Sequence, residues 1–389
     1  MLKEDLLARI EESVLVDLTR ELIRFKTFNP PGDELLLAER LAERMNGLGL
    51  DARVIPFAQG RANVIGRVPG SGRRSALIFS GHLDTVPVGT EKWDHDPLSG
   101  DIADGRIYGR GAADMKGGVA AMIMAASAVQ NTGVQLKGDL VLALTAGEEV
   151  DSIGAVHLLK EGLLIDAGAL VIAEPTALEV CSAEKGALWL EILIKGKAAH
   201  GSSPHLGKNA IVPMSAFVRN LEQFFQPLLK HPLLGSPTMN IATIEGGFKT
   251  NVVPDQCRLT IDFRTVPEQN VTELKANVES LLRQTAEREG VEWDVRIINE
   301  RESVGTSADD PFVKLFQESS RTVLGGESTV GGVSYFTDGA VLTPALKVPM
   351  VIFGPGEAAC AHQANEWVSI ENLRLAAMIY ADIAVRMLG

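Results

Sequence analysis

An imidazole and a carboxylate stand two residues apart directly after an apolar run of strand length. The run covers residues 76–79, breaks at Ser80 and Gly81, and is followed by His82 and Asp84. Open α/β sheets bind ligands outside the carboxyl ends of their strands, so this pair suggests a site at a sheet edge. Taken alone, the pair fits equally well a loop histidine followed by an aspartate that caps the next turn.

The same pattern recurs later in the chain, where carboxylates or an imidazole follow a strand-like run or precede an apolar helix. These residues are Asp114, Glu148, Glu149, Glu174 and His362. Imidazole and carboxylate suit zinc and its divalent neighbours, and two such ions can share a bridging carboxylate and together activate water. A solvated helix start is the alternative for Glu148 and Glu149, since acidic residues favour helix N-termini. The recurrence indicates a divalent-metal site at one edge of a sheet.

The segments that carry these residues alternate between helix and strand as far as residue 173. Helices are predicted over residues 4–25, from 30–33 to 47–49, and over 115–129 and 152–160. Strands are predicted over residues 52–56, 62–68, 76–79, 140–147 and 169–173. This alternation predicts an α/β fold with a mostly parallel sheet flanked by helices on both faces.

The pattern changes after Glu174 and Pro175. Strands are predicted over residues 187–194, 239–244, 257–263 and 291–298, with helices over 209–229 and 272–289. Their order, β-α-β-β-α-β, is that of a ferredoxin-like split unit. From about residue 310 the chain returns to helix, strand and helix. We therefore predict a catalytic domain built from residues 1–178 and 299–389, with an inserted α+β ferredoxin-like domain at residues 179–298.

Composition limits the classes of partner. The 389 residues suggest two domains, and a net charge of −13 disfavours nucleic acid and anionic membranes as partners. The three cysteines, Cys181, Cys257 and Cys360, form no CxxC pair and are typical of reduced thiols in a cytoplasmic protein. No apolar run reaches the length of a membrane span, and the first residues do not resemble a signal peptide.

Other catalytic motifs are missing or weak. The sequence contains no HExxH, no GxSxG and no GxxxxGK[ST]. Residues 354–359 fit the loose dinucleotide fingerprint, but they lie too near the C-terminus for a complete βαβ unit. We interpret them as a tight turn that shapes the loop carrying His362.

These residues and the motifs around them resemble a known family, the two-zinc amidohydrolases and exopeptidases that include acetylornithine deacetylase, succinyl-diaminopimelate desuccinylase, aminoacylase and carboxypeptidase G. The motifs that carry the resemblance occur in the family's order at residues 80–87, 109–118, 145–149, 173–176, 199–204 and 262–264. The resemblance covers almost the whole chain, and the combination of motifs is very specific.

The resemblance implies two divalent ions per chain, with zinc the first expectation and cobalt or manganese also suited to such ligands. His82 and Glu174 would hold one ion. Glu149 and His362 would hold the other, and Asp114 would bridge both.

Two further residues take catalytic roles by the same resemblance. Asp84 would orient His82 through the second ring nitrogen of the imidazole. Glu148 would be the general base that takes a proton from the metal-bridging water and passes it to the leaving amine.

The resemblance also implies that the inserted domain is a dimerisation or lid domain of a homodimer. It assigns roles to three residues of that domain. His200 would reach the neighbouring subunit's site and stabilise the oxyanion. Arg264 would clamp the substrate carboxylate, a task that suits a planar guanidinium, and Asn251 would be a further substrate contact. A strand-end salt bridge is the alternative for Arg264.

The expected function is metal-dependent hydrolysis of an amide bond in a small N-acyl amino acid, of the deacetylase or desuccinylase type. The desuccinylases commonly carry a Gly-Gly-Thr-Ser-Asp-like turn, whereas residues 331–338 read Gly-Gly-Val-Ser-Tyr-Phe-Thr-Asp, so the acyl group stays open. One alternative is a dipeptidase or carboxypeptidase of the same family. The other is a non-catalytic binding protein, against which the full ligand set with Glu148 argues.

Overall fold

The computed structural model describes residue 6, residues 8–225 and residues 230–389. Its helices are α1 (Glu12–Ile23), α2 (Leu35–Gly47), α3 (Gly117–Thr132), α4 (Ile153–Lys160), α5 (Ile211–Phe224), α6 (Val271–Glu289), α7 (Pro311–Leu324), α8 (Gly339–Leu346) and α9 (Ile370–Leu388). The helices predicted over 4–25 and 209–229 correspond to α1 and α5. Residues 4, 5, 7 and 226–229 of those two predictions lie outside the described part of the chain.

The strands are β1 (Asp51–Ala58), β2 (Arg61–Val68), β3 (Ala76–His82), β4 (Asp101–Ala103), β5 (Arg106–Tyr108), β6 (Leu140–Thr145), β7 (Ala167–Ile172), β8 (Val180–Glu184), β9 (Gly186–Lys195), β10 (Thr238–Gly246), β11 (Gln256–Thr265), β12 (Glu292–Arg301), β13 (Val304–Gly305), β14 (Val330–Val333), β15 (Met350–Ile352) and β16 (Trp367–Ser369).

The chain forms two compact units. The first contains the described residues up to Ala183 together with Gly305–Val333 and Thr337–Gly389, and the second contains Glu184–Val304 with Ser334–Phe336. The insertion begins later than the predicted residue 179 because β8 pairs with β15 in the large sheet. It ends later than residue 298 because β12 continues to Arg301.

A large sheet organises the first unit. Within the described residues its strand order is β1-β2-β6-β3-β7-β15-β8-β13, and β14 pairs with β8. The central strands β6, β3, β7 and β15 run parallel to one another, whereas β1, β2 and β8 pair antiparallel. Every residue of β3 and β6 is buried, which is why both read as continuous apolar runs. The predicted α/β class with a mostly parallel sheet is confirmed.

Helix α3 lies at the centre of this unit and packs against α9. Its buried positions occupy all sides of the helix, from Gly117 to Val129, as expected for a core helix rich in small residues. The segment Ala112–Thr132 is long and apolar enough to cross a bilayer, but 94% of its most apolar stretch is buried inside the fold.

The second unit is an antiparallel sheet with two helices. The strand order is β10-β11-β9-β12, which together with α5 and α6 gives the β-α-β-β-α-β arrangement predicted for the insertion. Alternate residues of β9 and β11, such as Leu190, Ile192 and Leu259, form its core with Phe217 of α5 and Leu282 of α6. This unit therefore has a hydrophobic core of its own.

Candidate metal centre

Four parallel strands bring the predicted ligands to one edge of the large sheet. His82 is the last residue of β3, and Glu148 and Glu149 follow the end of β6 after a short turn. Glu174 lies two residues beyond β7, and His362 lies in the loop that follows β15. Because the carboxyl ends of parallel strands meet at the same edge, side chains distant in sequence come together here.

Asp114 lies between the two histidines. Its Oδ1 is 3.1 Å from Nε2 of His82, and its Oδ2 is 3.1 Å from Nε2 of His362. The same His362 nitrogen is 3.2 Å from Oε2 of Glu149, and Nε2 of His82 is 3.7 Å from Oε1 of Glu174. Two donors bound to one tetrahedral zinc are roughly 3.3–3.6 Å apart, given metal–ligand distances of about 2.0–2.2 Å. The separations are therefore close to those of two cation sites that share one carboxylate.

Glu148 lies against the first of these groups. Its Oε2 is 3.9 Å from Nε2 of His82, and His82, Glu148 and Glu174 offer ligand atoms that all lie within 4.8 Å of one another. A second such group contains His82, Asp114 and Glu149. The geometry thus allows Glu148 to act either as a ligand or as a base beside the ligands.

The electrostatics of the cluster suit bound cations. Burial, reinforced by neighbouring carboxylates, raises the pKa of Glu148 and of Glu174 well above the ordinary value. Burial opposes ionisation of Asp114 too, but hydrogen bonds from His362 and His82 outweigh it and lower the pKa of Asp114. Four carboxylates around two imidazoles leave an excess of buried negative charge, which divalent cations would neutralise. The donor set fits two such ions.

Asp84 holds the turn that carries Glu148 and Glu149. Its buried carboxylate accepts hydrogen bonds from the backbone N–H groups of Gly147 (2.9 Å), Glu148 (3.1 Å) and Glu149 (3.2 Å). Nδ1 of His82 lies 2.9 Å from the backbone carbonyl of Asp84, and 3.6 Å from the carboxylate. The close contact to the imidazole is therefore made by the backbone of Asp84, while its side chain positions the glutamates.

Two polar residues beside the centre were not among the sequence predictions. The side chain of Asn29 donates to Oδ2 of Asp84 at 2.8 Å. Asp338 is buried, and its Oδ2 accepts a hydrogen bond from the Thr145 hydroxyl at 2.5 Å, at the end of β6. Asp338 is the last residue of the stretch 331–338, which departs from the Gly-Gly-Thr-Ser-Asp-like turn of the desuccinylases. An acidic residue directly before the apolar segment of α8 was the signal that the sequence offered.

The remaining predicted residues belong to the second unit. His200 is exposed, with Nδ1 2.7 Å from the Ser202 hydroxyl, and the next residue, Gly201, donates its N–H to the backbone carbonyl of Asn251 at 2.8 Å. His200 and Asn251 therefore lie on adjoining loops.

Arg264 of β11 is partly exposed. Its Nε lies 3.0 Å from Oδ1 of Asp262, two residues earlier on the same strand. Its guanidinium also lies over the rings of Trp189 (5.9 Å) and Phe336 (5.7 Å). The salt bridge considered as an alternative is thus present, and the planar group has an aromatic surface beneath it.

The chain matches a known protein family over most of its length. The family model described as Peptidase family M20/M25/M40 covers residues 78–386. A relative from Staphylococcus epidermidis, named probable succinyl-diaminopimelate desuccinylase, is 28% identical over 96% of this chain and 98% of its own length. The acetylornithine deacetylase of Myxococcus xanthus is 33% identical over 80% of each chain.

A solved structure from Bacillus subtilis has the same fold. It is described as a dinuclear metal-binding peptidase of the M20 family. It aligns with a TM-score of 0.75 and 18% identity, over 97% of this chain and 98% of its own.

Proposed function

Because the chain belongs to peptidase family M20/M25/M40, and is therefore a hydrolase of amide bonds, we propose that it removes the acyl group from an N-acyl amino acid. The single observation that carries the proposal is the sharing of Asp114 between His82 and His362, with Glu148 beside them. The relatives named desuccinylase and deacetylase support an acyl amino acid as the substrate class.

Two divalent ions, with zinc the first expectation and cobalt or manganese also suited, would polarise the amide carbonyl and lower the pKa of a water molecule when bound. In this proposal His82 and Glu174 would hold one ion, and Glu149 and His362 would hold the other. Asp114 would help to hold both ions.

Glu148 is the proposed general base. It accepts a proton from the attacking water as the water oxygen bonds to the amide carbon, and it delivers that proton to the amine nitrogen as the C–N bond breaks. Burial, with Glu174 nearby, raises the pKa of Glu148, which suits a group that must both take up and release a proton. Asp84 keeps Glu148 in place by holding its backbone N–H.

The second unit supplies substrate recognition in this proposal. Arg264 binds the free carboxylate of the substrate, supported by its planar guanidinium and its partial exposure, and Asn251 adds a further contact. His200 donates to the oxyanion that develops on a substrate bound by the partner chain, so the proposed enzyme is a homodimer.

The three cysteines form no disulfide. We also propose a cytoplasmic location, where reduced thiols are the rule.

The test of this function combines a base variant with a substrate panel. With Zn²⁺ or Co²⁺ added, the wild type should hydrolyse N-acetyl or N-succinyl amino acids faster than dipeptides. The Glu148→Gln variant should retain two ions by elemental analysis while kcat falls by about 10²–10⁴-fold, the usual contribution of a general base. The control is Glu161→Gln, since Glu161 is an exposed glutamate at the end of α4.

Three outcomes would contradict these assignments. Loss of one ion in Glu148→Gln would make Glu148 a ligand and not the base. Preferential cleavage of dipeptides by the wild type would make the enzyme a dipeptidase, and absence of turnover on the whole panel would favour a binding protein.

A further inference from the structure

Glu366 is a buried acid whose carboxylate contacts the segment that carries Asp114. One of its oxygens, Oε1, accepts hydrogen bonds from the backbone N–H groups of Ala113 (2.9 Å) and Asp114 (3.0 Å). The other, Oε2, accepts from Nη1 of Arg110 at 2.6 Å. The side chains of Glu366 and Arg110 are only 1% and 2% exposed. Both oxygens are therefore used, and both face donors of the segment 110–114.

The backbone around Glu366 joins the same two segments. The carbonyl of Glu366 accepts a hydrogen bond from Gly109 N–H at 2.9 Å. The following residues form β16, which pairs antiparallel with β5, so that Trp367 lies opposite Tyr108. Side chain and main chain of one residue thus attach the segment after β15 to the segment after β5.

The two attached segments carry two of the candidate metal ligands. Asp114 is four residues beyond Arg110, and His362 is four residues before Glu366. His362 is 53% exposed and has a positive φ of 63° in a loop, whereas His82 is the buried last residue of β3. The contact between Oδ2 of Asp114 and Nε2 of His362 therefore depends on how firmly these segments are joined.

We propose that Glu366 is a positioning residue that sets the separation of Asp114 and His362, and with it the affinity of the cation site formed by Asp114, Glu149 and His362. This inference rests on the two-cation centre of the proposed function. The site formed by His82, Asp114 and Glu174 depends on Glu366 only through Asp114, so it is affected less.

The chemistry of the pocket requires a carboxylate at position 366. A carboxylate presents acceptors on both oxygens, whereas an amide presents one acceptor and one NH₂ donor. In Glu366→Gln the NH₂ group must face either the Arg110 guanidinium or the N–H groups of Ala113 and Asp114. In either orientation the NH₂ group faces a buried donor without an acceptor between them. The repulsion between the two donors moves the two segments apart.

The experiment titrates the metal-free protein with Co²⁺ and follows the visible absorption of each bound ion. His362→Ala identifies which binding step belongs to the site that contains His362. In Glu366→Gln that step should weaken by about 10–100-fold, the usual effect of losing a residue that orients metal ligands, and the other step should weaken less. Arg110→Lys keeps the charge but loses the planar donor, so it should weaken the same step to a smaller extent. This variant tests the proposal if Glu366→Gln fails to fold.

Asp382→Asn is the matched control. Asp382 is a buried acid of α9 whose Oδ2 lies 2.5 Å from Nε of Arg386, so its loss removes a partly buried ion pair. This variant should melt at a lower temperature than the wild type but bind both ions normally.

Three results would overturn the inference. Unchanged affinities in Glu366→Gln and Arg110→Lys, with lower melting temperatures, would make Glu366 purely structural. Equal weakening of both steps would mean that it holds Asp114 alone. Binding of fewer than two ions by the wild type would reject the two-cation centre of the proposed function itself, and this inference with it.

Discussion

Each histidine of the candidate centre holds a proton more firmly than a free imidazole. Hydrogen bonds with Asp114 and Glu149 raise the pKa of His362 to about 10. Burial lowers the pKa of His82, but the hydrogen bond to Asp114 and the nearby glutamates outweigh burial and raise the pKa well above its ordinary value. A metal ion binds the neutral imidazole, so in the metal-free protein it must displace these protons.

Metal affinity should therefore rise with pH. Below the raised pKa of His362 the proton competes with the cation, and mass action gives about a tenfold gain in affinity per pH unit for each proton displaced. Competition titrations of the metal-free protein at several pH values between 6 and 8 would measure this slope. His362→Ala should lower the slope, whereas His157→Ala, a change at a histidine of α4 beside Glu161, should not. A flat profile for the wild type would show that neither histidine holds a proton there.

The residue types of the centre could be predicted from sequence because each follows a strand-like run or precedes a helix. The hydrogen-bond partners of Asp84 and Glu366 could not. Both carboxylates accept from backbone N–H groups that are distant in the chain: Asp84 from Glu149, 65 residues away, and Glu366 from Asp114, 252 residues away. A backbone donor leaves no trace in the residue type, so no motif could reveal these contacts.

Among the elements, α3 depends on a glycine to approach the sheet. An added Cβ at Gly118 would lie 2.3 Å from the carbonyl oxygen and 2.8 Å from Cβ of Ala173, the residue directly before Glu174. The first turn of α3 is therefore packed against the backbone that positions one of the candidate ligands.

Gly118→Ala should destabilise the protein and weaken cation binding. A Gly→Ala change inside a helix usually stabilises by about 0.5–1 kcal/mol, but overpacking of a core costs about 1–3 kcal/mol. Melting temperature and Co²⁺ affinity measure the two effects. Gly47→Ala is the control, because no atom lies within 4 Å of the added Cβ at the end of α2. A more stable Gly118→Ala protein with normal Co²⁺ affinity would mean that the backbone at Ala173 yields without moving Glu174.

Element order was predictable from periodicity, but the start of α3 was not. The sequence suggested a helix from residue 115, whereas α3 begins at Gly117, and Asp114 and Met115 have non-helical φ and ψ angles. The backbone N–H of Asp114 is bound by Glu366, which comes from the far end of the chain. Local helix propensity does not depend on that long-range contact, so it could not predict where α3 begins.

At the scale of the whole molecule, the catalytic groups and the proposed oxyanion donor lie in different units. The metal-ligand cluster and Glu148 belong to the first unit, whereas His200 belongs to the second, which has its own core. The proposed homodimer lets His200 of one chain serve the centre of the other.

Mixing two inactive variants tests this arrangement. His200→Ala and Glu148→Ala should each be nearly inactive, but under subunit exchange one of the two sites in a heterodimer combines an intact Glu148 with an intact partner His200. Activity should then return. If His200 acts within its own chain, every site still lacks one group and the mixture stays silent. Mixing Glu148→Ala with Glu148→Gln is the negative control, and differently tagged chains confirm that heterodimers form.

The strand order also affects how the protein folds while the ribosome synthesises it. Strand β15 lies between β7 and β8 in the sheet, although it is made roughly 180 residues after β7 ends at Ile172. At synthesis rates of about 5–20 residues per second, β7 waits roughly 9–36 s for its neighbour. During that interval its unpaired backbone edge is a template for pairing with another nascent chain. A translation pause before residue 350 lengthens the exposure, so slow codons in this interval should increase aggregation during expression.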